Sequence, residues 1–189
     1  AIKLVEGSYG KQGKTSPFKL TGGVKFMNAM APAAAKQQPV SPGPKMQQPP
    51  GGSQGPGAMV LDLNVKSGDQ GQRDAKVKPG EMKQIELVAL KGAKDIEGFE
   101  VVLKFDHNKI NFKGFTPKGL MTGAMALPMQ KQPDGVKISI GFLGRKSPGD
   151  SGTLGVILVE LGKNLGQGAA IKLVEGSYGK QGKTSPFQL

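Results

Sequence analysis

Apolar and polar residues alternate in several short runs of this chain. The clearest covers 98–105, where Phe99, Val101, Leu103 and Phe105 alternate with Glu100, Val102 and Lys104. A period of two with one apolar side is the pattern of a strand with one buried face. Glu81–Leu90 reads the same way, with Ile85, Leu87 and Ala89 on one side. So do Ile110 and Phe112 among Lys109, Asn111 and Lys113, and Val136, Ile138, Ile140 and Phe142. Val60–Val65 reads as a first strand, and Thr153–Leu161, apolar on both faces, as a central one. Turn residues separate these runs: Gly68-Asp69, Pro79-Gly80, Asp106-His107-Asn108 and the stretch 162–168. Pro117–Met129 is expected to be irregular or briefly helical. Its Met121, Met125 and Met129 fall at i, i+4, i+8, a spacing that suits a flexible cover on one end of a core better than soft-metal ligation by thioethers. Short strands with turn signals about every ten residues predict an all-β chain, a jelly-roll or Ig-like β-sandwich of about nine strands.

The two ends of the chain carry the same segment. Residues 1–20 read AIKLVEGSYGKQGKTSPFKL, and residues 170–189 differ from them only in having Gln188 where the first copy has Lys19. The offset is 169 residues. Ile2 and Leu4, like Ile171 and Leu173, flank a lysine in a half-buried strand pattern, and a glycine-rich turn follows. Three origins fit: a window on a longer tandem array, a strand donated between neighbours, or an artefact of permutation with overlapping ends. The expected organisation is residues 1–27 as the end of a preceding repeat or a donor segment, 28–58 as a linker, and 59–189 as the sandwich. The linker carries seven prolines with many Gly and Gln, too little apolar surface to offset its ordering entropy and a composition suited to an extended spacer. Ala31 and Ala33–Ala35 within it allow a short helical turn.

Charge and composition narrow the function classes. The net charge is +12, carried by 24 Lys and only two Arg, Arg73 and Arg145. Residues 1–58 and 59–189 each contribute +6, so the charge is spread out rather than gathered in the Arg-rich patch of a nucleic-acid reader. Solvated strand faces, or adhesion to an anionic polysaccharide or cell surface, account for it. No apolar run is long enough to span a membrane, so membrane insertion is not expected. There is no Cys, so no thiol nucleophile, and His107, the one histidine, sits in a turn after a strand, so neither a Ser-His-Asp triad nor a His-based metal cluster is expected. Gly13-Lys14-Thr15 ends like a phosphate loop, but Ser8 stands where that motif needs its first Gly, and Ser177 repeats the failure. Carboxylate pairs such as Asp62 with Asp69 or Glu97 with Glu100 have no spacing that sequence can fix. Asp69, Asp74 and Asp150 are the candidate ligands for a loop-bound calcium ion; no other cofactor is expected. No enzyme is expected.

Residues 59–189 resemble the cohesin-type module and its carbohydrate-binding-module-like relatives. The resemblance rests on Lys78-Pro-Gly-Glu81 ahead of a strand, on Gly98-Phe-Glu-Val-Val-Leu-Lys-Phe-Asp106 followed by Lys109-Ile-Asn-Phe112, and on Asp150-Ser-Gly-Thr-Leu154 leading into Gly-Val-Ile-Leu-Val. It implies a nine-stranded jelly roll and an extracellular or cell-surface setting, since such modules bind dockerins or repeat along surface proteins. The expected function is a structural subunit of an extracellular filament or surface array whose partners are copies of itself, joined by the linker and by strand exchange. The alternative is a binding module for a protein partner or a polysaccharide. The assembly residues would be Ile2, Leu4, Ile171 and Leu173, with Tyr9 and Tyr178 as strand-end corner tyrosines or a flat sugar-binding face. A charge at Ile171 or Leu173 is expected to abolish assembly and leave the module soluble.

Overall fold

The computed structural model describes residues 22–30, 57–180 and 183–188. Ile2, Leu4, Tyr9, the rest of the first copy and the linker residues 31–56 lie outside the described residues, as does the alanine-rich turn expected there. In chain order the strands are β1 (Gly23–Asn28), β2 (Gly57–Asp62), β3 (Asp74–Val77), β4 (Met82–Lys91), β5 (Gly98–Lys104) and β6 (Ile110–Pro117). A single 3₁₀ turn (Gly119–Met121) precedes β7 (Met125–Ala126), β8 (Gln130–Gln132), β9 (Gly135–Gly141), β10 (Gly152–Leu161), β11 (Gly168–Lys180) and β12 (Lys183–Gln188).

These strands form two sheets packed as a sandwich. The front sheet runs β3-β1-β11-β5-β9, with β7 and β8 on the outer edge of β9. The back sheet runs β6-β10-β4-β2. Neighbours are antiparallel except β1 with β3 and β12 with β2. β12 pairs antiparallel with β11 and parallel with β2, so the β11–β12 hairpin links the sheets along one side.

The core is one apolar cluster. Phe99, Val101 and Leu103 of β5, Ile138 and Ile140 of β9, and Ile171 and Leu173 of β11 are buried in the same cluster as Met59, Leu61, Ile85, Leu87, Ile157 and Val159 of the back sheet. Phe99 meets Phe115 edge-on at 6.1 Å between ring centroids. These are the apolar positions of the period-2 runs, and β10 is central as its two-sided apolarity predicts. Met121 is fully buried, while Met125 and Met129 are exposed, so only the first methionine of that series serves the core.

The structure differs from the sequence reading in detail. Among the described residues there are twelve strand segments rather than about nine, because β9 carries two short edge pieces and the polar stretch 67–80 contains β3. The first back-sheet strand starts at Gly57 and ends at Asp62 rather than running to Val65. Asp62 turns the chain there: its carboxylate accepts the backbone N–H groups of Asn64 and Gln70. Gly23–Asn28 lies in the front sheet of this same sandwich, paired with β11 and β3.

Candidate protein-docking face

The outward faces of the two sheets differ. On the back sheet, Asp62 and Glu86 are directly opposed across β2 and β4, on the side away from the core. Both are buried, because residues 63–73 fold over them. The loop is held by those carboxylates. Asp62 accepts Asn64 N–H at 2.7 Å, Gln70 N–H, and the Arg73 guanidinium at 3.2 Å. Glu86 accepts the Thr153 hydroxyl and Gly68 N–H through one oxygen, and its other oxygen is buried without a hydrogen-bond partner. Burial pushes the Asp62 carboxyl up, but the two backbone donors and the Arg73 charge outweigh it and hold the group below the ordinary aspartate value. Part of this face is therefore closed by the protein's own chain.

The outward face of the front sheet is open. Since Phe99, Val101 and Leu103 point into the core, Gly98, Glu100, Val102 and Lys104 point out. Register then places three glycines in one row: Gly98 faces Gly141 on one side and Gly179 on the other. Met125 closes the row opposite Gly141. In the next row Ser139, Glu100 and Ser177 lie side by side, and Leu127 donates its N–H to the Ser139 carbonyl at 2.9 Å. Gly98 admits no side chain, because a Cβ there would lie 2.5 Å from the Ile140 carbonyl oxygen. The floor is thus shallow and built of small residues.

Its rim is apolar. Met125, Leu127 and Leu143 border the depression and are 55%, 56% and 82% exposed. One charge pair reaches into the floor and another lies beyond it. Lys137 Nζ is 2.9 Å from Glu100, which also accepts the Ser139 hydroxyl at 2.9 Å. Burial pushes the Glu100 carboxyl up, and those two donors more than reverse it, leaving it below the usual glutamate value. Lys104 and Asp134 pair at 2.8 Å. Three exposed apolar side chains thus stand around one depression, with polar groups beyond them.

The residues singled out from sequence fall elsewhere. Ile171 and Leu173 are fully buried and Tyr178 nearly so, all in the core. In this arrangement a charge at Ile171 or Leu173 strikes the core itself, so solubility of such a variant requires another segment to take β11's place. Tyr178 presents no flat ring to solvent. Asp69 pairs with Arg73 at 2.6 Å and accepts Gly71 N–H, Asp150 accepts Gly92 N–H at 3.0 Å, and Asp74 opens β3 with its side chain exposed. Among the described residues, no group of three or more His, Asp or Glu stands together in a way that would hold a metal ion. Arg73 contacts both Asp62 and Asp69, and Glu97 and Glu100 each face a lysine. His107 sits 3.0 Å from the Gln132 carbonyl and edge-on to Phe105. Sequence reasoning missed the glycine row and its rim. Its signal, the alignment of Gly98, Gly141 and Gly179, is visible only once the strand register is known.

The same sandwich occurs in solved structures. The cohesin module of a family 33 glycoside hydrolase from Clostridium perfringens aligns with a TM-score of 0.55 and 14% identity, over 70% of this chain and 90% of its own. The fold is that of a cohesin module. A non-cellulosomal cohesin from the archaeon Archaeoglobus fulgidus aligns with a TM-score of 0.52 and 12% identity, over 71% of this chain and 86% of its own. The sixth cohesin of Acetivibrio cellulolyticus scaffoldin B, solved in complex with a Cel5 dockerin, gives 0.51 and 11%, over 71% and 94%. No family model and no curated protein matches the sequence. Among the described residues, no helix is long and apolar enough to cross a membrane.

Proposed function

We propose that this chain is a non-catalytic, cohesin-like module that binds a protein partner at the cell surface or outside the cell. The observation that carries this reading is the open front face: a flat floor of glycine and serine with Met125, Leu127 and Leu143 exposed around it. A floor whose side chains are mostly short, with Glu100 the one long side chain among them, lets a partner's backbone or helix come close, and the apolar rim supplies desolvation energy. The dockerin bound to the Acetivibrio cohesin is a precedent for a protein ligand on this fold. Polysaccharide is the weaker choice, because Phe26, Phe99 and Tyr178 of the front-sheet strands are buried and Phe142, at the edge of the depression, is a single half-buried ring. The structural reading, a subunit of a filament or surface array, draws its support from the duplicated segment and the Pro-rich linker. The two readings are compatible, since an array of such modules would display many docking faces.

The test is capture from the source organism's extracellular fraction with the intact chain as bait, washed at high salt. A triple variant, Met125→Lys, Leu127→Asp and Leu143→Asp, serves as the comparison. The expected result is at least one protein retained by the wild type and reduced about 100-fold on the variant, the size of a lost apolar hot spot. The variant's melting temperature should be unchanged, because all three residues are exposed. Retention that disappears with salt for both baits would show only the general attraction of a +12 chain and would contradict the proposal.

A further inference from the structure

The described strands leave a register relation between the two ends of the chain. On one edge of β11, Ser177, Tyr178, Gly179 and Lys180 face Pro186, Ser185, Thr184 and Lys183 of β12. On the same edge further along, Lys172, Ile171 and Ala170 face Gly23, Val24 and Lys25 of β1. The Gly22 carbonyl accepts the N–H of Leu173 at 2.9 Å. β12 belongs to the second copy of the duplicated segment, whereas β1 directly follows the first copy.

Moved back by the 169-residue offset, the β11–β12 pairs become Ser8 with Pro17, Tyr9 with Ser16, Gly10 with Thr15 and Lys11 with Lys14. The β1 pairs become Lys3 with Gly23, Ile2 with Val24 and Ala1 with Lys25. From Ser8 to Lys3 is five residues, and from Pro17 to Gly23 is six. All of these pairs would therefore fit one hairpin with a single extra residue on one strand, the size of one β-bulge. β1 sits where an unbroken continuation of β12 would lie.

We infer that residues 1–20 of this chain are a second occupant of the place held by residues 170–189, and that residues 1–28 fill it as one uninterrupted hairpin. β1 stays where it is during the exchange. Gly168 and Ala169 also stay, opposite Met27 and Phe26, and Ala1 meets Ala169 end to end. Gly168 marks the fixed junction, since a Cβ there would lie 2.2 Å from the Phe26 carbonyl oxygen. The two occupants match at nineteen of twenty positions, so each brings nearly the same buried side chains to the core. Because β1 is already docked, the first copy is tethered beside the place it would fill, which gives it a high effective concentration there. One place and two equivalent segments mean that one copy is always surplus. Exchange releases the C-terminal copy with its strand edges unpaired, available for β-strand addition to another chain.

Cysteine trapping tests this directly, because the chain has no cysteine of its own. Ser177 and Glu100 are opposed across β11 and β5, so Glu100→Cys with Ser177→Cys reports the C-terminal occupant. Glu100→Cys with Ser8→Cys reports the N-terminal one. The expected result is an intrachain disulfide in both double variants. Adding Ile171→Asp should make the Ser8→Cys linkage the dominant species in a protein that stays folded, while Ile2→Asp with Ile171→Asp should unfold, since neither copy then fits the core. The idea is overturned if the Ser8→Cys pair fails to close while the Ser177→Cys pair does, or if Ile171→Asp alone is as unfolded as the double variant. A disulfide found only between chains would overturn the same-chain assignment. None of these readouts depends on the docking partner.

Discussion

Leu103→Ala is expected to lower the stability of the sandwich by about 2–5 kcal/mol, the usual cost of emptying a fully buried leucine site. Leu103 lies on β5, inside the front sheet, and its direct cross-strand neighbours are Val136 of β9 and Leu173 of β11. All three are buried in the single core cluster. Two flanking strands hold the backbone of β5, so the site cannot collapse to close the gap, which places the cost toward the upper end of that range. Urea unfolding should show a lower midpoint with an unchanged slope, the sign of lost stability without a change in the surface exposed. A cost below about 1 kcal/mol would mean that β5 is not the centre of the sheet.

The second large effect is expected at Asp62. Asp62→Asn puts an amide NH₂ among groups that already donate: Asn64 N–H, Gln70 N–H and the Arg73 guanidinium. Leaving buried donors without an acceptor costs about 1–3 kcal/mol, and more where the lost acceptor was charged. The pH dependence identifies the cause. The folded state holds the Asp62 carboxyl below its ordinary value of 3.8, so its contribution is complete above that value and is lost as pH falls through the lower folded-state value. The gap between wild type and variant should therefore be widest near neutrality and shrink below about pH 4. Unfolding midpoints measured from pH 7 down to 2.5 give this curve. A gap that does not change with pH would assign the loss to packing. The carboxylates of half-buried Glu81 and Glu160 and of exposed Asp134 are held low by adjacent lysines, so the wild-type curve falls in acid for the same reason at several sites.

Much of the fold was legible in the residues. The alternation at 98–105 and the two-sided apolarity of 153–161 identify β5 and β10 and their places in the sheets, because burial imposes a period of two on any strand with one wet face. The resemblance to cohesins, drawn from framework turns and strands, agrees with the solved cohesins that share the fold. Other elements were not legible for identifiable reasons. β3 has four residues, three of them incompletely buried, and its one strand neighbour is β1, so its sequence carries little pattern. The loop 63–73 reads as the end of a strand to Val65 followed by a polar turn at Gly68-Asp69, yet it covers Asp62 and Glu86, and nothing local marks those two carboxylates as buried. The position of β1 is fixed by partners nearly 150 residues away, a relation no local pattern encodes. The candidate docking face depends on the register that sets Gly98 between Gly141 and Gly179, which none of those glycines reveals alone. The duplicated ends were visible at once, but the pairing of β11 with both β12 and β1 was not.

The most direct test of the functional account is amide hydrogen exchange on the intact chain, with and without the protein retained in the capture experiment. Docking on the front face predicts slowed exchange in peptides covering 98–104, 125–143 and 175–179, with β6 and the 63–73 loop unchanged. Protection confined to 63–73 and 110–117 would place the partner on the back sheet and contradict the account.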